Sequence, residues 1–164
     1  MSLNIFVSYS TRDLEKVSAL QAEIEGTPIK VYVAEHSMAP GVNITETIRT
    51  SISTSDIFVL VWSQNARASE WVLQELGQAV LLQKPILPIV LDADMKLPES
   101  ISHLKFISFS ESPGSALRLA REFLYAAYEK RRSQLAAAAR AQEEKDNVVK
   151  LGLAGFAVWL FTRK

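Results

Sequence analysis

The sequence contains no cysteine, so disulfide frameworks and thiolate metal sites are excluded, and the compartment is left open. Its two histidines, His36 and His103, lie far apart, and neither belongs to a recognised ligand spacing; no metal site is expected. There is no G-x-x-x-x-G-K-[ST] phosphate loop, no G-x-G-x-x-G fingerprint and no G-x-S-x-G elbow. Phosphate-cradling nucleotide enzymes of the usual kinds are therefore excluded, and no bound cofactor is expected. The N-terminal Met-Ser-Leu-Asn-Ile-Phe-Val lacks the basic segment and small-residue cleavage site of a secretory signal, so a cytoplasmic protein is expected. The longest apolar run, Leu151 to Phe161, is shorter than the roughly 20 residues of a spanning helix.

The chain has 164 residues, 48% hydrophobic and 22% charged, enough for one globular domain with its own core. Its net charge of zero hides an asymmetry. Residues 1–130 carry 11 Lys/Arg against 15 Asp/Glu, and residues 131–164 carry 7 against 3. An acidic body argues against nucleic acid as a partner.

The first 110 residues alternate strand-like and helix-like segments. Strands are predicted over Leu3–Ser8, Ile29–Val33, Ile57–Trp62, Ile86–Leu91 and Leu104–Phe109. Helices are predicted over Thr11–Glu25, Ile44–Ser53 and Glu70–Gln83, with Ala34–Asn43 and Ser63–Ser69 as loops. Ile57–Trp62 is continuously apolar, as a strand buried on both faces should be. The pattern implies a five-stranded parallel sheet covered on both faces, an α/β fold of the flavodoxin-like three-layer kind. Ligands of such sheets bind beyond the carboxyl ends of strands, near the switch point of strand order.

From Pro113 the pattern is helical until Asp146-Asn147, with Leu117, Ala120, Phe123, Leu124, Ala127 and Tyr128 as its core face. Residues 131–147 have high helix propensity and almost no apolar stripe, and read as a solvated stalk. Residues 148–164 form a hydrophobic tail flanked by Lys150 and Arg163-Lys164, with Trp159 near one end. Membrane contact, oligomerisation and packing on its own domain all fit that tail.

One constellation invites chemistry. In Ser69-Glu70-Trp71-Val72-Leu73-Gln74-Glu75-Leu76, Trp71 and Glu75 are i and i+4 and share a helix face. An aromatic beside a carboxylate could stack a ring and address a sugar. Spacing alone favours the plainer reading of a core Trp71 and a surface Glu75, since amphipathic helices produce such pairs routinely.

Phe6-Val7-Ser8-Tyr9-Ser10 followed by Asp13 resembles the first sequence box of TIR (Toll/interleukin-1 receptor) domains. Pro40-Gly41 resembles their second box, in the segment called the BB loop, and Ser69-x-Trp71-x-x-x-Glu75-Leu76 is similar to the motif of NAD-cleaving TIR domains of bacteria and plants. Together these span residues 1–130, the expected TIR domain. The third box, a Phe-Trp pair, is missing; Leu104-Lys105-Phe106 is its nearest counterpart.

The resemblance implies that Glu75 is the catalytic glutamate, with NAD+ as substrate. It also implies that Phe6, Ser8 and Tyr9 wall the nicotinamide ribose, although the apolar strand around Phe6 favours reading it as core. Arg12 could contact phosphate or form a solvated pair with Asp13. Trp71 is a candidate stacking surface, and Asn43 with the loop of Pro40 and Gly41 could cover the site or meet a neighbouring subunit.

Two functions follow from the resemblance. One is an NAD+ glycohydrolase or ADP-ribosyl cyclase of immune, antiphage signalling or NAD depletion, active on assembly through TIR–TIR contacts, with a separate effector to read any messenger. The other is a non-catalytic TIR–TIR interaction module, or a bacterial effector that interferes with host signalling. The complete Ser-x-Trp-x-x-x-Glu setting favours the enzyme.

Overall fold

A computed structural model of the chain describes residues 1–33 and 44–162, with side chains described for residues 1–33 and 45–146. The elements are β1 (Leu3–Ser8), a 3-10 turn (Thr11–Asp13), α1 (Leu14–Ile24), β2 (Ile29–Val33), α2 (Ile44–Thr54), β3 (Ile57–Trp62), α3 (Gln64–Arg67), α4 (Glu70–Leu81), β4 (Ile86–Val90), a second 3-10 turn (Glu99–Ile101), β5 (Ile107–Ser108) and α5 (Pro113–Thr162).

All five strands are parallel, in the order β2-β1-β3-β4-β5. Every residue of β3 is buried, as its unbroken apolar run requires of a strand flanked on both sides and covered on both faces. Side chains alternate across the sheet, which sorts the core into two halves. Leu3, Ile5 and Val7 of β1 pack with Val17, Leu20 and Ile24 of α1 and with Ala116, Ala120, Leu124 and Tyr128 of α5. Phe6, Phe58 and Leu60 pack on the other face with Ile48 and Ile52 of α2 and Val72, Leu76 and Ala79 of α4. The rings of Phe6 and Phe58 stack across β1 and β3, with centroids 5.5 Å apart.

The strand order turns back at β1: its successor in sequence, β2, lies on one side and β3 on the other. The switch point is therefore between β1 and β3. The loops leaving the carboxyl ends of these two strands face it.

Several boundaries differ from the sequence expectation for identifiable reasons. The fifth strand is two residues, not the six of Leu104–Phe109. Leu91 donates its backbone N–H to Trp62 of β3, so alternation turns the nitrogen of Pro88 toward β5, where proline has no hydrogen to give. Pairing with β5 accordingly begins at Ile89 opposite Ile107, while the Leu104 N–H closes the second 3-10 turn on Ile101. The predicted loop 63–69 contains the short helix α3, started by Ser63, whose Oγ accepts from the Ala66 N–H at 3.0 Å. The first helix begins at Leu14 because Ser10 caps the 3-10 turn ahead of it. In α5, Phe123 is 49% exposed and not core; the buried positions run every four residues from Ala116. That helix continues past Asp146, whose carboxylate accepts from Gln142 one turn earlier.

The chain comprises two compact units, Met1–Tyr128 and Glu129–Lys164. The first holds the sheet and both halves of the core. In the second, every described side chain is exposed or half-buried. Among the described residues no helix is long and apolar enough to cross a membrane.

Candidate functional site

The site is built where β1 ends. Ser10, just beyond the strand, caps the 3-10 turn by accepting from the Arg12 N–H at 3.4 Å. This turn carries Asp13 into the interior. Its Oδ2 accepts from Ser63 Oγ at 2.5 Å and its Oδ1 from Asn65 Nδ2 at 2.9 Å. Both partners belong to the segment leaving β3, so one buried carboxylate ties the two loops together across the switch point. Ser69 then starts α4 by accepting from the Val72 N–H at 3.4 Å.

Helix α4 buries Val72, Leu76 and Ala79 against the sheet. Glu75 stands only about 40° around the helix from Ala79, at the edge of that apolar arc. It is 1% exposed. Its Oε2 accepts a hydrogen bond from Ser8 Oγ at 2.5 Å, whereas its Oε1 is buried with no hydrogen-bond partner among the described residues. Burial pushes the Glu75 pKa up from 4.5 to about 7, with the Ser8 hydrogen bond opposing the rise. The carboxyl is thus anchored through one oxygen and unsatisfied at the other, an uncommon state for a buried polar atom.

The assignment of inside and outside on this helix reverses one of the readings open to spacing. Glu75 is the buried member of the i, i+4 pair, and Trp71, 38% exposed, is the open one. Trp71 lies one turn before Glu75, toward the start of α4, with its side chain partly exposed.

The other expected site residues divide. Phe6 is fully buried and stacked between Phe58 and Tyr32, so it is core, one of the two readings its strand allowed. Ser8 lies on the same face of β1 as Phe6 and meets Glu75. Tyr9 joins the core on the α1 and α5 side, the opposite face, because alternation along the strand sends neighbouring side chains apart. Arg12 is exposed, and the pair with Asp13, one of its two readings, does not form; Ser63 and Asn65 hold that carboxylate instead. Pro40, Gly41, Asn43 and His36 lie outside the described residues. Among the described residues no cluster of three or more His, Cys, Asp or Glu could hold a metal ion.

Sequence reasoning missed Asn65 and the structural part of Asp13. Ser63 three residues ahead of Ala66 was a cap signal within a stretch read as loop. Nothing local marked Asn65, whose partner is 52 positions away.

A doubly covered parallel sheet with its strands in this order is a flavodoxin-like α/β fold, with a polar cluster at the switch point. The chain belongs to the TIR domain family: the family model matches residues 5–124. Solved structures share this fold. The TIR domain of a Toll-related receptor from Hydra magnipapillata superposes with a TM-score of 0.61 at 20% identity, covering 74% of this chain and 97% of that one. A prokaryotic SEFIR domain gives 0.57 at 15% identity, over 76% and 99%. The CMP N-glycosidase BcmB of Clostridium botulinum gives 0.55 at 15% identity, over 71% and 98%. No curated protein sequence matches the chain significantly.

Proposed function

We propose that this TIR protein cleaves the bond between nicotinamide and ribose in NAD+, as a glycohydrolase or ADP-ribosyl cyclase of an immune response, with Glu75 as the catalytic carboxylate. The observation that carries the reading is the Glu75 carboxyl itself: buried at the switch point, anchored by Ser8 and without a partner at Oε1 among the described residues. A buried acceptor without a partner lowers stability, and a ligand that donates to it removes that deficit. The ribose of NAD+ presents hydroxyl donors of the kind required.

The chemistry needs little else. As the bond from C1′ to the pyridinium nitrogen breaks, its electron pair goes to nicotinamide, which leaves neutral, so no general acid is required. Positive charge develops on the ribose as in glycoside cleavage. The ionised Glu75 carboxylate stabilises that charge and orients the ribose hydroxyls. Water then forms the new bond at C1′ and releases a proton; in a cyclase, a nitrogen of the adenine ring takes the place of water. Trp71 supplies a stacking surface, and Arg12 a cation in reach of solvent-side phosphates. The CMP N-glycosidase of Clostridium botulinum supports the compatibility of this fold with N-glycosidic cleavage.

Assembly belongs to the proposal. The segment of Pro40, Gly41 and Asn43 completes the site of a neighbouring copy, and the C-terminal unit raises local concentration through self-association or membrane contact. Purified protein incubated with NAD+ should release nicotinamide faster on an oligomer-promoting surface than free in solution. Glu75→Ala should lower release about 100-fold or more under both conditions. Equal, slow release by wild type and Glu75→Ala in both settings overturns the enzymatic reading. Chromatography and mass spectrometry of the product then separate linear from cyclic ADP-ribose.

A further inference from the structure

Ser8 is expected, from its place at the end of β1, to wall the ribose. Its surroundings give it a different task. The residue has no exposed surface, and it is paired in the sheet opposite Leu60 of β3. Its hydroxyl has a single proton, and that proton is committed to Glu75 Oε2 across 67 positions of sequence. The Ser8 side chain is thus buried behind the Glu75 carboxyl oxygen it serves.

We propose that Ser8 is a positioning residue: it fixes the rotation of the Glu75 carboxyl by holding Oε2, presents Oε1 to the ligand, and itself touches no ligand. The inference rests on the reading of Glu75 as the ribose-binding carboxylate. The physical need is clear. The terminal torsion of a glutamate is broad and roughly two-fold, so an unanchored carboxyl would not keep one oxygen aimed. The anchor also favours the ionised form, against the effect of burial. No other described group does this work. Helix α4 packs on α2, α3 and β1. Strand β1 carries no charge, and the charged groups of the other two, Glu46 and Arg49 of α2 and Arg67 of α3, are solvent-exposed. Arg12 and Asp13 beyond β1 point elsewhere, the first to solvent and the second to Ser63 and Asn65.

The test uses the full chain carrying 13C-labelled glutamate. The Glu75 carboxyl is followed by NMR through a pH titration in wild type, Ser8→Ala and Ser8→Thr. Ser8→Ala should move the titration midpoint up by about one pH unit, and Ser8→Thr, which keeps the hydroxyl, should bring it back. An unmoved midpoint in Ser8→Ala overturns the proposal. Ser8→Cys, of similar volume and a weak donor, replaces the alanine variant if that fails to fold, and the same displacement is expected.

Kinetics give the second readout. For NAD+, Ser8→Ala should leave KM within about twofold and lower kcat about tenfold at pH 7, with the gap narrowing above pH 8. A raised KM with unchanged kcat would mean direct contact with substrate, and the proposal falls. If wild type releases no nicotinamide, the enzymatic reading fails while the carboxyl titration still decides the role of Ser8.

Discussion

Glu75 sets function against stability within one side chain. The folded protein holds the Glu75 proton more tightly than the unfolded chain, since the pKa lies at about 7 in place of 4.5. Stability from this group is therefore complete below pH 4.5 and is lost as pH rises toward about 7. The displacement corresponds to at most about 3 kcal/mol at pH 8, and to under about 1 kcal/mol at pH 5. Glu75→Gln, which removes the charge and keeps the shape, should gain up to that amount in urea unfolding at pH 8 and little at pH 5. Equal effects at both pH values would contradict a carboxyl strained by burial. Activity should follow the opposite trend. The proposed NAD+ cleavage uses the ionised form, so kcat/KM for it should rise about tenfold per pH unit up to about pH 7 and level off above it. A flat profile from pH 5 to 8 would remove Glu75 ionisation from the mechanism.

At the scale of elements, the polar ends of helices do much of the specifying. Helix α4 starts on Ser69 and stops in a turn where the Lys84 N–H bonds to Ala79 and the Gln83 N–H to Val80, the pattern of a Schellman motif. The residue that must adopt the left-handed conformation there is Gln83, at φ 52°. Glycine is the usual occupant because a Cβ is disfavoured in that region. Gln83→Gly should therefore stabilise the protein by about 1 kcal/mol, read as a raised urea midpoint at unchanged slope. A loss of stability would show that the Gln83 side chain contributes more than its backbone costs. Proline decides the other end of the sheet. Pro88 was visible in the sequence, but its effect on β5 depended on which neighbour its nitrogen faces, and that follows only from the register of β4 on β3.

At the scale of the molecule, every residue of the two core halves lies within the first unit, Met1–Tyr128. A chain ending at Lys130 should consequently fold alone, with a melting temperature within about 3 °C of the full protein. If the tail acts only by gathering copies, the shortened chain should keep the slow cleavage of dilute protein and lose the acceleration seen on clustering. Circular dichroism melts and nicotinamide release check the two halves of this expectation. A shortened chain that fails to fold would place core contacts in the second unit, and one that keeps the acceleration would assign assembly to the TIR domain alone.

The sequence by itself determined the layers. Uninterrupted apolar runs such as Ile57–Trp62 require a sheet covered on both faces, and the helical spacing of Val17, Leu20 and Ile24 requires a helix lying on it. It also placed three ordered motifs, enough to point to the family. Spacing could not decide whether Glu75 was inside. A residue about 40° from the edge of an apolar face is buried or exposed according to what stands opposite, and the hydroxyl opposite comes from the other end of the domain. Only the tertiary structure brought Ser8 to Glu75 and Ser63 to Asp13, pairs separated by 67 and 50 positions. Periodicity reports which side chains share a face; the free energy of a carboxyl is set by its neighbours in space.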